Sequence, residues 1–154
     1  MSWNFDRFLK SQIGFFQRRT LFRHAIKAFR TDLLPVEYES IEELMHGFGW
    51  AADRNMNRVP ESDCLSILVL TPFRVVIGGG RLTCDISYEE IEDCFWQQND
   101  LCISVRSEDS EYAGIRFEPM SQKWTDGRRK LFRHLVMEHV RAANANGRKE
   151  SQTR

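Results

Sequence analysis

The sequence has no long uninterrupted run of apolar residues, and none of its apolar stretches approaches the roughly 20 residues that cross a bilayer. Its beginning, MSWNFDRFLK, also lacks the continuous apolar segment of a secretory signal. Both absences exclude the ordinary signatures of membrane-spanning and secreted proteins. We therefore expect a cytoplasmic protein, with the inner surface of the membrane as an alternative place of action.

Closely spaced cysteine pairs are also missing. The four cysteines lie 20, 10 and 8 residues apart and form no C-x-x-C pair, although zinc sites usually need ligands paired at short spacing. A cytosolic chain of this size keeps its thiols reduced and does not depend on disulfides. We therefore expect no bound metal, and we predict small, buried core thiols at Cys64, Cys84, Cys94 and Cys102.

Familiar catalytic motifs are absent as well. The triple glycine at 78–80 is followed by a predicted strand and not by Gly-Lys-Ser/Thr, so it indicates a hairpin turn instead of a phosphate-binding loop. No G-x-S-x-G motif occurs, and His134 and His139 point in different directions on a predicted helix. Adjacent acids such as Glu89 and Glu90, on a strand or in a turn, face opposite ways or lie in solvent. The sequence therefore predicts a protein that is not an enzyme and uses no cofactor.

The charge of the chain is balanced overall but unevenly distributed. Residues 1–30 hold seven basic residues against one acidic, 31–120 hold six against eighteen, and 121–154 hold nine against three. The length of 154 residues, with 42% hydrophobic and 29% charged residues, fits one globular domain. Two interpretations of the basic ends remain open: they pack on the acidic body, or they bind an anionic partner such as nucleic acid.

Residues 1–32 form a basic, aromatic segment with a helical pattern. Its apolar residues fall on two stripes, at 5–16 and at 21–29, which are rotated from each other by roughly 100°, so we expect a break between them. The mixture suits an anionic membrane surface, a protein groove or a second copy of the chain, and it could equally cover the sheet of its own domain. The candidate partner-binding residues are Phe15, Phe16, Arg18, Arg19, Arg23 and Lys27.

From residue 64 onward, short alternating runs are separated by turn signals every eight to twelve residues, a pattern typical of an antiparallel sheet. The stretch 36–50 is ambiguous between a short helix and a first strand, and 51–63 is predicted to be a loop. Strands are predicted at 65–70, 73–77, 82–86, 91–96, 101–106 and 112–117.

A C-terminal helix is predicted to begin near Ser121 and to run toward residues 144–147, followed by a disordered tail over 144–154. The residues expected on its inward face are Trp124, Leu131, Phe132, Leu135 and Ala142, and those on its outward face are Arg129, Arg133 and Arg141. This helix should cover one face of the sheet.

Three short patterns in the chain point to a known family. They are LLPVE at 33–37, LVLTPFRVV at 68–76 and ISYEEIE at 86–92. Together with the order of elements, they resemble the pleckstrin-homology-like (PH-like) fold, and in particular the bacterial PH-like domains related to GRAM domains. The resemblance implies an α+β domain over 33–143: an antiparallel sheet of six to seven strands closed by the C-terminal helix, with the helical extension over 1–32 outside it.

Members of that family are mostly binding or regulatory modules. The resemblance therefore implies a non-catalytic module that binds a protein partner or associates with itself as a homo-oligomer, in the cytoplasm or peripherally at the membrane. Nucleic-acid binding through the basic N- and C-terminal helices is the alternative. Phosphoinositide-binding PH domains carry a run of Lys and Arg between their first two strands, whereas this chain offers only Arg54 and Arg58 among three acids there. Strong headgroup binding at that loop is therefore not expected.

Overall fold

A computed structural model describes residues 33–62, 64–78, 83–106, 112–120 and 124–152 of the chain. The described part begins with a short helix, continues through seven strands and ends in a long helix. A 3-10 turn at Tyr88–Glu90 separates the fourth strand from the fifth. The elements are α1 (Pro35–Glu39), β1 (Glu43–Ala52), β2 (Cys64–Leu70), β3 (Arg74–Gly78), β4 (Thr83–Ser87), β5 (Ile91–Gln97), β6 (Asp100–Val105), β7 (Gly114–Pro119) and α2 (Asp126–Gln152).

The strands form one antiparallel sheet in the order β4-β3-β2-β1-β7-β6-β5. β1 lies at its centre and pairs with β2 over 43–49 and with β7 over 47–52. The two pairings overlap at 47–49, and a Cβ atom at Gly47 would lie 1.9 Å from the carbonyl oxygen of Glu118. A residue without a side chain is therefore required where the two halves of the sheet meet.

This architecture confirms the predicted α+β class. A seven-stranded open antiparallel sheet with a C-terminal helix is consistent with the PH-like fold. The helical extension predicted over 1–32 lies outside the described residues, and the domain limits at 33 and 143 stay predictions.

The strands predicted from alternation lie within two residues of the observed ones at each end. The ambiguous stretch 36–50 holds both alternatives in succession, because α1 ends at Glu39 and β1 begins at Glu43. Pro35 suits the first turn of a helix, since its φ angle is already helical and its missing N–H is not needed there. The predicted loop at 51–63 begins two residues later than expected, because Ala51 and Ala52 still pair with β7.

The inner face of the sheet packs against α2 and holds the main core. Alternate residues of each strand point to this side, as Leu68 and Leu70 of β2 and Leu101 and Ile103 of β6 do. The removal of this apolar surface from water is the main force that stabilises the fold. The largest fully buried side chains of this core are Phe117, Phe132, Met45, Leu68, Leu70, Ile77, Ile86, Ile91, Leu101 and Ile103.

The inward face of α2 differs in part from the prediction. Phe132, Val136 and Val140 are buried at successive intervals of four residues, whereas the side chain of Leu131 is 53% exposed. Trp124 is buried as expected and Leu135 packs partly on the core, but the inward placements of Leu131 and Ala142 were wrong. Apolar residues occur on two sides of this helix, one with Leu131 and the other with Phe132, Val136 and Val140. Which side is buried depends on how the helix packs on the sheet.

The ends of α2 also differ from the prediction. The helix begins at Asp126, and the Arg128 backbone N–H donates a hydrogen bond of 3.3 Å to Oγ1 of Thr125, so Thr125 caps it. Ser121, near which the helix was predicted to begin, lies outside the described residues. The helix continues to Gln152, so residues 144–152 are helical where a disordered tail was expected.

Candidate functional site

The candidate partner-binding residues from the sequence lie in a part of the chain that the structure does not describe. Phe15, Phe16, Arg18, Arg19, Arg23 and Lys27 all belong to residues 1–32. Their role stays a prediction, and the described residues must supply any site argued from geometry.

The three sequence patterns that resemble the PH-like family meet at one point in the structure. Glu37 of the first pattern accepts hydrogen bonds from Arg74 Nε at 2.9 Å and from Thr71 Oγ1 at 3.2 Å, both in the second pattern. Tyr88 of the third pattern donates its hydroxyl hydrogen bond to the carbonyl oxygen of Thr71. We call these four residues, Glu37, Thr71, Arg74 and Tyr88, the motif network.

The motif network buries a charged carboxylate. The side chain of Glu37 is 1% exposed, and burial alone would raise its pKa. Arg74, the Leu34 backbone N–H at 3.1 Å and the Thr71 hydroxyl outweigh that effect and lower the pKa below the ordinary value. The carboxylate therefore stays ionised and ties α1 to the turn between β2 and β3.

Three large apolar side chains are exposed beside the motif network. Leu34 comes directly before α1 and is 61% exposed, and Val36 lies within α1 and is 54% exposed. Phe73, in the turn between β2 and β3, is 55% exposed. Glu37 joins the two segments that carry them, since it bonds to Leu34 on one side and to Arg74 on the other. We call Leu34, Val36 and Phe73 the Phe73 surface.

A second buried carboxylate, that of Asp100, lies on the side of the sheet away from α2, in the half formed by β5, β6 and β7. Arg58 binds both oxygens of Asp100, with Nη2 at 2.7 Å from Oδ1 and Nε at 2.8 Å from Oδ2, and Arg116 Nε binds Oδ2 at 2.9 Å. Arg58 also contacts Glu118 at 3.1 Å and stacks on Trp50, 3.7 Å from the ring centroid. Two arginines thus face two acids, and the charges of this cluster balance.

The cluster around Asp100 accounts for one of the two basic residues in the loop between β1 and β2. Arg58 is one of the two basic residues in that loop, and it forms ion pairs with Asp100 and Glu118.

A cleft of about 240 Å³ beside the cluster is lined by side chains of mixed character. Its lining residues are Arg54, Met56, Glu92, Ser104, Val105, Tyr112 and Ala113. A cleft with both charge signs and apolar walls does not single out one class of ligand.

The arginines of α2 are largely engaged by the sheet. Arg128 bonds to Glu43 at 2.6 Å and stacks on Trp124, while Arg133 lies 3.8 Å from Asp93. Arg129, which was expected to point outward, is half-buried with its guanidinium 5.0 Å above the Trp96 ring. Arg133 and Arg141 are exposed as predicted. Arg128 and Arg129 at the start of this helix therefore bind their own domain, whereas Lys130, Arg133 and Arg141 keep exposed positive charge.

The cysteines have the environment of core residues. Cys84, Cys94 and Cys102 are buried, as predicted, and the side chain of Cys64 lies outside the described residues. Burial raises the pKa of the Cys94 thiol and that of the Cys102 thiol, which disfavours the thiolate form that nucleophilic catalysis requires. Over the described residues, no group of three or more His, Cys, Asp or Glu is placed to hold a metal ion, and neither helix is long and apolar enough to cross a membrane.

Sequence reasoning missed the two buried carboxylates. Glu37 and Arg74 are 37 positions apart and Arg58 and Asp100 are 42 apart, so no periodicity links either pair. A signal existed for Glu37, because the acid, the threonine and the arginine all stand inside the patterns at 33–37 and 68–76. The cluster around Asp100 had no comparable signal.

Comparison with known proteins assigns this chain to no family. No family model matches the sequence. No curated protein matches it either. Among solved structures, the complex of the FERM and C-terminal domains of Drosophila Merlin is similar over 72% of this chain, with a TM-score of 0.43 and 11% identity. The match covers 33% of that protein, so this chain spans about a third of its length.

Proposed function

We propose that this chain is a non-catalytic interaction module that binds a protein partner, with the Phe73 surface as its contact. The observation that carries the proposal is the exposure of Leu34, Val36 and Phe73, each more than half exposed, on segments that a buried ion pair holds in place. Isolated exposed apolar residues are common, but three of them on two rigidly joined segments indicate an interaction site. A contact surface that is already ordered loses less conformational entropy on binding.

The relationship to bacterial PH-like domains is part of this proposal. It is supported by the motif network, because the three resembling patterns converge on Thr71 although they are distant in sequence. Arg128 and Arg129 are held by Glu43 and by the Trp96 ring, so they are not available to nucleic acid, which favours a protein partner at this end of α2. A cytoplasmic location belongs to the same proposal.

Site-specific photocrosslinking in cells tests the proposal. The full chain carries p-benzoylphenylalanine at position 73 in one variant and at position 131 in the control. Phe73 and Leu131 are matched, at 55% and 53% exposure, but they lie on different surfaces. We expect a discrete protein adduct at position 73 with a yield roughly fivefold or more above that at 131, since binding energy concentrates in a few contact residues.

The adduct's mass identifies the occupant. An adduct of twice the mass of the chain means self-association, and any other discrete mass means a different protein partner. Equal yields at the two positions, or no adduct at 73, would refute the Phe73 surface as a binding site.

A further inference from the structure

The outer face of β1, β2 and β3 holds a second apolar cluster that is distinct from the main core. Leu44 of β1, Val69 of β2 and Val76 of β3 stand opposite one another in register, and Ile67 lies next to Val69 on the same face. Ile67, Val69 and Val76 are only 1–2% exposed. We call Leu44, Ile67, Val69 and Val76 the outer face.

Neighbouring strands cannot bury the outer face, because side chains of one sheet lie side by side and a second layer is needed above them. Within the described residues, the other hydrophobic side chains of this cluster are Leu33, Ile41 and Phe48. Ile41 lies just before β1 and Phe48 lies on it, so both belong to the sheet layer. α2 covers the opposite face. α1 reaches the outer side of the sheet through the Glu37–Arg74 pair, but its exposed side chain Val36 is not part of this cluster. Leu33, which comes just before α1, is part of it, so the apolar cover is expected to continue into the chain that precedes Leu33.

The residues that come just before Leu33 in the sequence cannot lie far from this face, because the chain connects them directly to Leu33. Leu33 is 5% exposed and belongs to the outer-face cluster. Phe29 is four residues earlier, so it lies within about 14 Å of Leu33 even if the chain between them is fully extended. A helix over 21–29 would be about 13 Å long. Three strands span about 10 Å, so one such helix is long enough to cross them.

The apolar residues at 21–29 are suited to pack on the outer face. Leu21, Phe22, Ala25, Ile26 and Phe29 form one stripe at helical spacing. Arg23 and Lys27 fall on the opposite side of that helix, away from the stripe. Residues 1–30 hold seven basic residues against one acid, and the body at 31–120 holds six against eighteen, so the two parts attract each other.

We propose that the stripe at 21–29 packs, within the same chain, on the outer face of β1, β2 and β3. The segment then forms a second layer on the sheet and turns Arg23 and Lys27 toward solvent. This goes beyond the proposed function, because it concerns a different face and does not depend on the Phe73 surface.

Photocrosslinking of the purified full chain tests the packing without deleting the segment. p-Benzoylphenylalanine replaces Phe22 or Phe29 in two variants and Lys27 in the control, and the linked residues are mapped by mass spectrometry. We expect positions 22 and 29 to link to Ile67, Val69 or Val76 with yields about tenfold or more above position 27, since only atoms in contact can react.

An equal mixture of isotope-labelled and unlabelled chains separates packing within one chain from exchange between copies. Links within one isotope class support the proposal. Links from 22 and 29 that join labelled to unlabelled chains would show that a second copy covers the face. That result would overturn the proposal, as would links to other surfaces or equal yields at position 27.

Discussion

Adjacent residues of α2 should differ sharply in their contribution to stability. Phe132 is 1% exposed and packs edge-on against Trp96 and Trp124, with ring centroids 6.4 and 5.8 Å away. Phe132→Ala should cost about 3–5 kcal/mol, toward the upper end because both aromatic contacts are lost as well. Leu131→Ala should cost less than about 1 kcal/mol, since that side chain is 53% exposed and leaves no enclosed cavity.

Urea denaturation followed by circular dichroism measures both losses. With a slope of about 2 kcal/mol per molar urea, Phe132→Ala should lower the midpoint by on the order of 2 M. The midpoint for Leu131→Ala should change by less than about 0.5 M at an unchanged slope. Similar losses from the two variants, or a larger loss from Leu131→Ala, would mean that α2 is rotated by about 100° from its place here.

Two further predictions concern the buried carboxylates. Asp100→Asn should destabilise by about 3–5 kcal/mol because it leaves Arg116 buried without its counter-charge, whereas Glu118→Gln at the exposed rim should cost about 0–1 kcal/mol; equal losses in urea would contradict this order. The pKa of Glu37 is lowered on folding from the ordinary 4.5, so its pairing with Arg74 contributes stability above pH 4.5 that is lost as the pH falls through the folded-state pKa. Glu37→Gln should flatten this acid loss in denaturation curves from pH 7 to pH 3, and an equally steep loss in the variant would refute the assignment.

Much of the sheet could be predicted from the sequence because alternation is a local signal. Leu101, Ile103 and Val105 point to the inner face as a period of two requires, and so do Ile115 and Phe117 of β7. The helix was harder to place. Leu131 and Val136 are both apolar, and their separation of five residues puts them on different faces, so the pattern alone could not say which one the sheet covers.

The ion pairs could not be predicted, because they depend on where distant strands meet. Asp100 sits in a hairpin turn by its sequence, where a surface acid is the usual expectation. It becomes buried only because β7 brings Arg116 beside it and the β1–β2 loop brings Arg58. Nothing at any one of these positions carries that information.

The central position of β1 has a consequence for how the chain folds. Among the described strands, every pairing except that of β1 with β7 joins strands that follow each other in sequence. Two meanders, β1 to β4 and β5 to β7, can therefore form from short hairpin closures, which cost little loop entropy. The β1–β7 ladder pairs residues as distant as Gly47 and Pro119, and it must close a far longer loop. Because non-local pairing is the slow part of folding in β-rich domains, the docking of these two meanders at Gly47 should limit the folding rate.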